Sequence, residues 1–439
     1  MLEAHYGIYA TIAVILLGLM FLSVPIFISL FFTGLIGWTL FGHYPPLLMA
    51  QALFRSMDKF ALVVVLYFVL CGNIMTRGSI VDRLIKVANV TVGWLPGGLG
   101  MVGVVACGLF GAISGSTVAT VVAIGGFMIP ALLENGYDEK YTLGIMTTSP
   151  ILGIIIPPSI SMILYAMISN DSLEALFMTG FVPGTLIIIA FSIYSYIIAK
   201  AKKFPLKPRP DWNEIKAAYK EGFWALLLPV IICGGIFSGA FTATEAAVIA
   251  SVYAFIVELF IYKDISWKDV FTVTSSSAVT SAVLLAVVAG ATCFGKYLTI
   301  QQIPAIITEA VVSHIHSKWV FLLVVNIILL VVGTFMDIIS ATLILTPIFL
   351  PMLYEYGINS LHFGLLMTIN LGIGYCTPPV GVSLYITGSM AKRDVLYVTK
   401  SVMPFILIQL AILGILTYLP KLVLFLPKLA YGAKVVGGG

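Results

Sequence analysis

The chain has 439 residues, of which 60% are hydrophobic and 10% charged, and its mean hydropathy is +1.09. A soluble domain carries roughly a quarter charged residues, so the composition excludes a soluble globular protein, and the alternating segments of a membrane β-barrel are absent. The net charge of +4 reflects basic residues in connectors, which report on membrane topology rather than on nucleic-acid binding. The sequence therefore predicts an all-α, polytopic membrane protein.

Apolar runs follow one another along the chain and predict its membrane helices, since a bilayer-spanning helix needs about 20 such residues. The first run has no basic leading region and no cleavage site, which favours a retained span over a signal peptide. The segment 79–93 is amphipathic and is expected to lie at the membrane interface. The runs lie near 6–41, 46–76, 93–133, 141–168, 175–199, 222–240, 243–262, 276–300, 318–353, 362–390 and 399–427.

A basic connector, KAKKFPLKPRPDWNEIK at 200–216, divides the chain almost in half and is expected on the cytoplasmic side. The two halves repeat each other, because residues 130–186 shifted by 221 meet 351–407 without a gap, with paired glycines and a paired Pro-Pro in register. Internal repeats are typical of secondary transporters, whose binding sites lie near the membrane midplane at the repeat interface. The span boundaries leave open whether the repeats are parallel or inverted.

Each half carries a Gly-x-x-x-Pro-Pro segment inside an apolar run, at 153–158 and at 374–379. Proline removes an N–H donor and disrupts the bond to the carbonyl four residues earlier, and bare carbonyls at membrane depth are tolerated only where they line a cavity or are buried in protein. Freed carbonyls and nearby hydroxyls form an uncharged, all-oxygen ligand set that suits a weakly held alkali ion such as Na⁺. The alternative is a pair of proline kinks that serve packing alone.

The segment GAISGSTVAT at 111–120 interrupts an apolar run that is too long for one span. A hairpin that enters the membrane and turns there would present the hydroxyls of Ser114, Ser116 and Thr117 and a helix N-terminus that attracts anions. A small-residue packing face between two spans is the alternative. The segment GTFMDIISAT at 333–342 occupies the equivalent place in the second half, with a one-residue slip in the alignment.

Asp337 is the acid placed most deeply by sequence, and intramembrane acids are costly and usually functional. It could ligate a cation, accept a hydrogen bond from a substrate hydroxyl, or cap the following helix, which is a favoured role of Asp. Thr242 and Glu245 match a capping box, and we predict that structural role for them. The five cysteines lie in apolar runs without metal-ligand spacing and are expected to be buried, unpaired thiols.

Motifs of ATP-driven pumps and of common hydrolases are absent, since the sequence has no G-x-x-x-x-G-K-[ST], HExxH or G-x-S-x-G. We therefore expect a carrier rather than an enzyme. An intramembrane enzyme or a channel is the competing hypothesis from another class.

Four stretches of the chain carry a family pattern: GAISGSTVATVVAIGGFMIPALLENGY, TTSPILGIIIPPSISMILYA, GIFSGAFTATEAA, and GTFMDIISATLILTPIFLPMLYEYGI with LGIGYCTPPVGVSLYI. Together they resemble the large membrane (M) subunit of tripartite ATP-independent periplasmic (TRAP) transporters. The resemblance covers nearly the whole chain. It implies a fold similar to the ion-transporter superfamily, with inverted repeats, two re-entrant helical hairpins, and an elevator transport domain that moves against a scaffold.

The resemblance also implies a function and partners. A sodium-driven importer in the bacterial inner membrane is expected, which takes an organic acid (a C4-dicarboxylate, sialic acid or another sugar acid) from a soluble periplasmic substrate-binding protein. A small four-helix membrane (Q) subunit is expected as a separate polypeptide, with Na⁺ at two or more sites. The alternative is a stand-alone sodium- or proton-coupled carrier of organic anions that needs no binding protein.

Carried over onto matching positions, the resemblance implies two Na⁺ sites and a substrate site between the hairpin tips. The first Na⁺ site is expected to use Ser114, Ser116, Gly153, Ile156 and Pro157. The second is expected to use Gly333, Asp337, Gly374, Thr377 and Pro378. The substrate is expected near Ser116, Thr117, Thr148, Ser149, Asp337 and Thr342. All arginines lie in connectors or at run ends, so helix N-termini and bound Na⁺ are expected to attract the acidic substrate, unless an arginine reaches in from an edge.

The repeat and the resemblance together divide the chain into six parts. We expect N-terminal scaffold helices at 1–92, a first transport repeat with the first hairpin at 93–199, a basic cytoplasmic connector at 200–221, second-half scaffold helices at 222–317, a second transport repeat with the second hairpin at 318–429, and a tail at 430–439.

Overall fold

The computed structural model describes residues 2–22, 24–42 and 44–432. These residues form helices and connecting turns without a β-strand, and nine helical segments among them, some of which join consecutive helices across a short break, are long and apolar enough to cross a bilayer. A helix satisfies its backbone hydrogen bonds internally, which is why apolar runs of this length become helices in a membrane. The prediction of an all-α polytopic membrane protein is confirmed.

The N-terminal part of the first half contains five helices. They are α1 (Leu2–Phe21), α2 (Ile26–Ile36), α3 (Pro46–Met57), α4 (Val63–Arg77) and α5 (Ile80–Val92). α4 and α5 meet at a sharp corner, where their axes differ by 72°. The amphipathic segment predicted at 79–93 is therefore a separate helix that leaves the direction of the preceding span.

The first hairpin follows at the position that the sequence predicts. Its first arm is α6 (Gly98–Ser114), and its second arm comprises α7 (Thr117–Thr120), a π-helical turn and α8 (Gly126–Glu134). Gly115 between the arms has a φ of 62°, in the left-handed region that favours glycine. We refer to residues 114–117 as the first tip.

A broken helix and two further helices complete the first half. The elements are α9 (Glu139–Thr148), a 3₁₀ turn at Ser149–Ile151, α10 (Leu152–Ile155), α11 (Ile160–Ser169), α12 (Leu173–Thr179) and α13 (Phe181–Lys202). Residues 156–159, which we call the first break, contain the first proline pair and interrupt the helix between α10 and α11. The predicted interruption of an apolar run by Pro-Pro is thus present.

The second half begins with four helices. They are α14 (Trp212–Phe237), α15 (Ala243–Ile256), α16 (Trp267–Ile300) and α17 (Ile303–His314). The predicted capping box at the start of α15 is confirmed, with the Thr242 N–H donating to Glu245 Oε2 at 2.8 Å. A similar box at Asp211 starts α14, and residues 212–221 of the predicted connector are consequently helical.

The remaining helices form the second transport repeat. They are α18 (Lys318–Phe335), α19 (Ile338–Glu355), α20 (Ser360–Gly374), α21 (Val382–Ala391), α22 (Val395–Tyr418) and α23 (Pro420–Tyr431). α18 and α19 are the arms of the second hairpin, whose second tip is residues 335–338. Residues 375–381 between α20 and α21 are the second break. Both proline pairs are joined by cis peptide bonds.

The two hairpins differ by one residue in their turns. Ser116 and Asp337 stand 221 residues apart and are the N-caps of the second arms, so both match the register of the broken helices. The first turn has Gly115 before its cap, whereas the second has Met336 in an extended conformation. The one-residue slip predicted in the alignment of the two halves therefore lies in the first arms of the hairpins, before Ser116 and Asp337.

Contacts between the broken helices show that the repeats are inverted. Arg393, which follows α21, donates from Nε to Glu139 Oε1 at the start of α9, at 2.6 Å. Asp171, which follows α11, accepts a hydrogen bond from the Ser360 hydroxyl at the start of α20, at 2.5 Å. Each broken helix thus ends where the other begins, so the two run in opposite directions. The inverted arrangement implied by the resemblance is present.

The most deeply buried acidic residue of the described chain is Glu258, not Asp337 as the sequence predicted. Glu258, in the π-helical turn after α15, is 0% exposed, whereas Asp337 is partly exposed. Glu258 Oε1 accepts hydrogen bonds from the N–H groups of Ser79 and Ile80, both at 2.9 Å, and so caps α5 from a distant helix. A Cβ at Gly78 would lie 2.1 Å from the Glu258 carboxyl carbon, so a side chain at this position would displace the capping carboxylate.

The five cysteines and the C-terminal segment were also predicted from the sequence. All five cysteines are free of disulfides, as predicted, although Cys233 is only half-buried. In the predicted tail at 430–439, α23 extends to Tyr431, and residues 433–439 lie outside the described part of the chain.

Candidate functional site

The first tip packs directly on the first break. The Ile160 N–H donates to Gly115 O at 3.4 Å. A Cβ at Gly153 would lie 2.9 Å from Ser116 O, so a side chain at Gly153 would push the tip away. Because Pro157 and Pro158 lack N–H groups, the carbonyls one turn earlier have no helical donor. The contact therefore places the oxygens of the tip beside backbone carbonyls released by the proline pair.

Hydroxyl groups concentrate within the first tip. The Ser116 hydroxyl accepts a hydrogen bond from the Ala119 N–H at 3.4 Å and caps the second arm. Thr120 Oγ1 lies 3.4 Å from Ser114 Oγ and donates to Ser116 O at 2.7 Å. Within the described part of the chain, buried Thr117 Oγ1 has no hydrogen-bond partner. The tip thus presents several oxygens and no charged group.

Beside the second tip, the end of α18 packs on the end of α20 and on the second break. A Cβ at Gly374 would lie 2.7 Å from Gly333 Cα, so the two backbones are in direct contact. The Gly381 N–H donates to Thr334 O at 3.1 Å and ties the end of the break to α18. Thr377 Oγ1 donates to Ile373 O at 2.7 Å. The predicted ligands Gly333 and Gly374 are therefore in contact, and Thr377 and Pro378 follow within one turn of Gly374.

Asp337 both caps a helix and faces a cavity. Its Oδ2 accepts a hydrogen bond from the Ser340 N–H at 2.9 Å at the start of α19. The residue also lines a cavity of about 80 Å³ between the two tips, together with Ser116, Thr117 and Tyr375. The capping role and a place at the candidate site are thus both present in the structure.

A second, larger cavity of about 700 Å³ shares Ser116, Asp337 and Tyr375 with the first. Its opposite wall comes from α4 and α16, where Asn73 and Thr76 are polar. Gly72 of α4 brings this wall close to the first tip, since a Cβ there would lie 3.4 Å from Ser114 Cβ. Space for a small organic molecule therefore extends from the tips toward the predicted scaffold.

The structure places the predicted substrate residues in two groups. Ser116, Thr117 and Asp337 line the cavities between the tips. Thr148, Ser149 and Thr342 are buried and absent from the described linings of these cavities. The Thr148 and Thr342 hydroxyls bond to carbonyls of their own helices, at 2.8 and 2.7 Å. A direct role for these three residues stays a prediction.

The sequence analysis missed several polar residues of the cavity walls, among them Tyr375, Asn73 and Thr76. Tyr375, the first residue of the second break, lines both cavities, and Asn73 and Thr76 line the larger one. Each had a visible signal, because Tyr375 adjoins Gly374 and Asn73 is an amide inside an apolar run. Asn73 Nδ2 donates to Ser277 Oγ at 2.9 Å, which fixes its orientation.

The charge of the cavity wall is negative. Asp337 is its charged residue, and neither described lining includes Lys or Arg. The nearest ionic partners of three arginines lie elsewhere: Arg77 pairs with Asp269, Arg83 with Asp264, and Arg393 with Glu139, at 2.7, 2.9 and 2.6 Å. The wall by itself favours a cation, and an organic anion would need a compensating positive charge there.

Comparisons with known proteins agree with the geometry. The family model described as the tripartite ATP-independent periplasmic transporter, DctM component, matches residues 13–422. The chain is 39% identical to the C4-dicarboxylate TRAP transporter large permease protein DctM of Rhodobacter capsulatus, over 94% of this chain and 98% of that protein. It is 33% identical to the sialic acid TRAP transporter large permease protein SiaM of Vibrio cholerae, over 95% and 97%.

The fold is similar to a solved transporter of much lower sequence identity. The crystal structure of the YdaH transporter of Alcanivorax borkumensis matches with a TM-score of 0.64 at 13% identity, over 84% of this chain and 87% of that one. That likeness concerns the fold alone. On the family match and the two permeases, the chain belongs to the DctM-component family of tripartite ATP-independent periplasmic transporters and is a multi-pass membrane protein.

Proposed function

We propose that this protein imports an organic acid across the bacterial inner membrane, coupled to Na⁺ and to delivery by a periplasmic substrate-binding protein. The observation that carries the proposal is the meeting of two inverted tip–break pairs around cavities lined by Ser116, Asp337 and Tyr375. Broken helices that meet at a repeat interface are the usual binding sites of secondary transporters.

Sodium coupling is supported by the ligand chemistry at both breaks. Backbone carbonyls, hydroxyls and one carboxylate are hard oxygen ligands, which suit alkali ions better than zinc or iron. Ser114, Ser116, Gly153, Ile156 and Pro157 would hold one ion. Gly333, Asp337, Gly374, Thr377 and Pro378 would hold the other. The close glycine contacts at Gly153 and Gly374 are cradles that a Cβ would fill.

An organic acid is the proposed substrate because the related permeases are named for C4-dicarboxylate and for sialic acid. Ser116, Thr117 and Tyr375 would orient it by hydrogen bonds, and Asn73 and Thr76 face the same space from α4. Since Asp337 repels an anion, the bound cations would supply the positive charge that the wall lacks. This requirement links anion binding to cation binding.

Alternating access would follow an elevator motion, in which the two hairpins and broken helices move as one body against the helices at 1–92 and 222–317. The larger cavity lies between the first tip and α4, at the boundary that such a motion would cross. A separate small Q subunit and a periplasmic P protein would complete the system. The stand-alone carrier remains the alternative function.

The test is uptake in proteoliposomes that contain this chain with a four-helix subunit, with and without the binding protein. We expect accumulation of a C4-dicarboxylate or sialic acid only when an inward Na⁺ gradient and the binding protein are both present. Uptake without a binding protein would support the stand-alone carrier. Uptake that follows a proton gradient and ignores Na⁺ would overturn the ion assignment.

A further inference from the structure

A backbone carbonyl near the end of α9 lacks its ordinary helical partner. Pro150 has no N–H, and the Leu152 N–H bonds inside the 3₁₀ turn to Ser149 O and Pro150 O instead of reaching Thr148 O. Thr147 and Thr148 are both 0% exposed, so water does not reach them. Thr148 is the N-cap of the 3₁₀ turn, so its carbonyl keeps only the bond of that turn and can accept a second donor from elsewhere in the molecule.

Two side chains of the second repeat donate to the end of α9. Gln409 of α22 donates from Nε2 to Thr148 O at 3.2 Å. Cys376 of the second break donates from Sγ to Thr147 O at 3.3 Å. Both side chains are buried, at 1% and 0% exposure, so the contacts are shielded from solvent. The first broken helix is thus held by the second repeat about two turns before its own break.

The two hydrogen bonds connect the segments that carry the two proposed ion sites. Cys376 directly precedes Thr377 and Pro378, which are proposed ligands of one ion. The residue pair 147–148 lies between the start of α9 and Gly153, which is a proposed ligand of the other. A movement of the second break would displace Cys376 and, through its hydrogen bond, the end of α9.

Close packing transmits such a displacement. A Cβ at Gly372 of α20 would lie 2.7 Å from Ile151 Cγ1 and 2.8 Å from Ile154 Cδ1. The 3₁₀ turn and α10 therefore rest directly on the backbone of α20, next to the second break. Densely packed interiors transmit strain rather than absorb it.

We propose that Gln409 and Cys376 are positioning residues that couple the two ion-binding breaks, so that ordering of one break favours the binding geometry of the other. The inference rests on the proposed sodium coupling. Coupling between two binding sites is reciprocal, and the common element here is the end of α9, which both side chains hold. Binding of Na⁺ to the wild-type chain should consequently be cooperative.

The test removes each donor and retains the volume as far as possible. Gln409→Leu replaces the amide by an apolar side chain of similar size, Cys376→Ala removes the thiol, and Cys376→Ser keeps a donor. Cys107→Ala is the matched control, because Cys107 is a fully buried thiol of α6 for which no hydrogen bond is seen in the described chain. The readouts are the Na⁺ dependence of uptake and the Na⁺-dependent rise in melting temperature of the purified chain in detergent.

For the wild type and for Cys107→Ala we expect a Hill coefficient for Na⁺ above 1. For Gln409→Leu and Cys376→Ala we expect a Hill coefficient near 1 and an apparent Na⁺ affinity weaker by about fivefold or more, as for typical coupled sites. Cys376→Ser should recover most of the cooperativity. A merely structural role would lower the melting temperature in Na⁺-free buffer and leave the Hill coefficient unchanged.

The outcomes separate this inference from the function on which it rests. If the wild type requires Na⁺ and both donor-free variants keep its Hill coefficient, the coupling role is overturned and the sodium-driven function stands. A wild-type Hill coefficient of 1 for Na⁺ would likewise overturn the coupling role and leave the sodium-driven function standing. If neither uptake nor melting temperature responds to Na⁺ in the wild type, the proposed sodium coupling fails together with the inference. A variant too unstable for reconstitution is tested by the Na⁺-dependent rise in its melting temperature in detergent. Because Gln409→Leu and Cys376→Ala remove different hydrogen bonds, each variant tests the inference separately.

Discussion

The two tip–break regions share a backbone and differ in charge. In both, the first hairpin arm packs on a glycine one turn before a proline pair, and an N-cap starts the second arm. The cap is Ser116 in the first region and Asp337 in the second. Ser and Asp are about equally good caps, so capping does not require the carboxylate. We therefore propose that the negative charge of Asp337 acts on the cavity between the tips.

The largest expected effect is that of Asp337→Asn. Asn retains the cap and removes the charge, so we expect a nearly unchanged melting temperature in Na⁺-free buffer. Loss of a charged ligand costs about 1.5–3 kcal/mol, and we expect Na⁺-driven uptake to fall roughly 10- to 100-fold. Reconstituted uptake at a fixed Na⁺ gradient measures this. Uptake within about twofold of wild type would mean that the charge difference between the regions has no functional role.

Substitution of the break glycines tests whether the two backbones are equally constrained. A Cβ added at Gly374 would meet the Gly333 backbone at 2.7 Å. A Cβ added at Gly153 would first meet the Thr120 hydroxyl, at 2.6 Å, and then Ser116 O, at 2.9 Å. Backbone yields less readily than a side chain, so Gly374→Ala should cost about 1–3 kcal/mol of stability and Gly153→Ala less. Thermal unfolding in detergent ranks the two variants.

The control for the glycine variants is Gly414→Ala in α22, because a Cβ there meets nothing within 4 Å. Alanine is the better helix former, so this variant should be neutral or slightly stabilised. Equal losses at Gly153 and Gly374, or a loss at Gly414, would contradict the assigned contacts.

Ser116→Asp makes the first tip resemble the second. Asp keeps the cap and adds a second carboxylate to the cavity that Asp337 already lines. Like charges in one site oppose an anion and favour a cation, so we expect substrate affinity to fall roughly tenfold, about 1.4 kcal/mol, while apparent Na⁺ affinity rises. Substrate and Na⁺ titrations of uptake separate the two effects. Ser116→Asn, which is neutral, is the control, and an unchanged substrate affinity in Ser116→Asp would place the first tip outside the substrate's reach.

Thr242→Ala should have the smallest effect on transport, because its capping box lies at the start of α15 and contributes to neither tip. Loss of the cap should lower stability by about 1 kcal/mol, with Na⁺ and substrate dependence unchanged. The measurement pairs thermal unfolding with uptake normalised to protein, and Thr242→Ser is the control that keeps the hydroxyl. A shift in Na⁺ dependence would show that regions outside the tips also set ion binding.

Local sequence chemistry predicted the parts of the site that depend on the backbone. The two proline pairs, the hairpin turn within 111–120 and the candidate caps at Asp337 and Thr242 were all visible, because proline, glycine and capping residues act within a few positions of themselves. Side-chain partners from distant helices were not visible. Glu258 caps α5 from 179 positions away in sequence, and no local rule connects it to Ser79.

The sequence by itself determined that the chain is a membrane protein of two related halves, each with a broken helix and a facing hairpin. Those features follow from hydropathy and from the missing N–H groups of proline. Only the tertiary structure decided that the halves run in opposite directions, that Tyr375 joins Ser116 and Asp337 around one cavity, and that Gln409 and Cys376 hold the end of α9. These depend on long-range packing, in which residues more than 200 positions apart satisfy one another's buried polar groups.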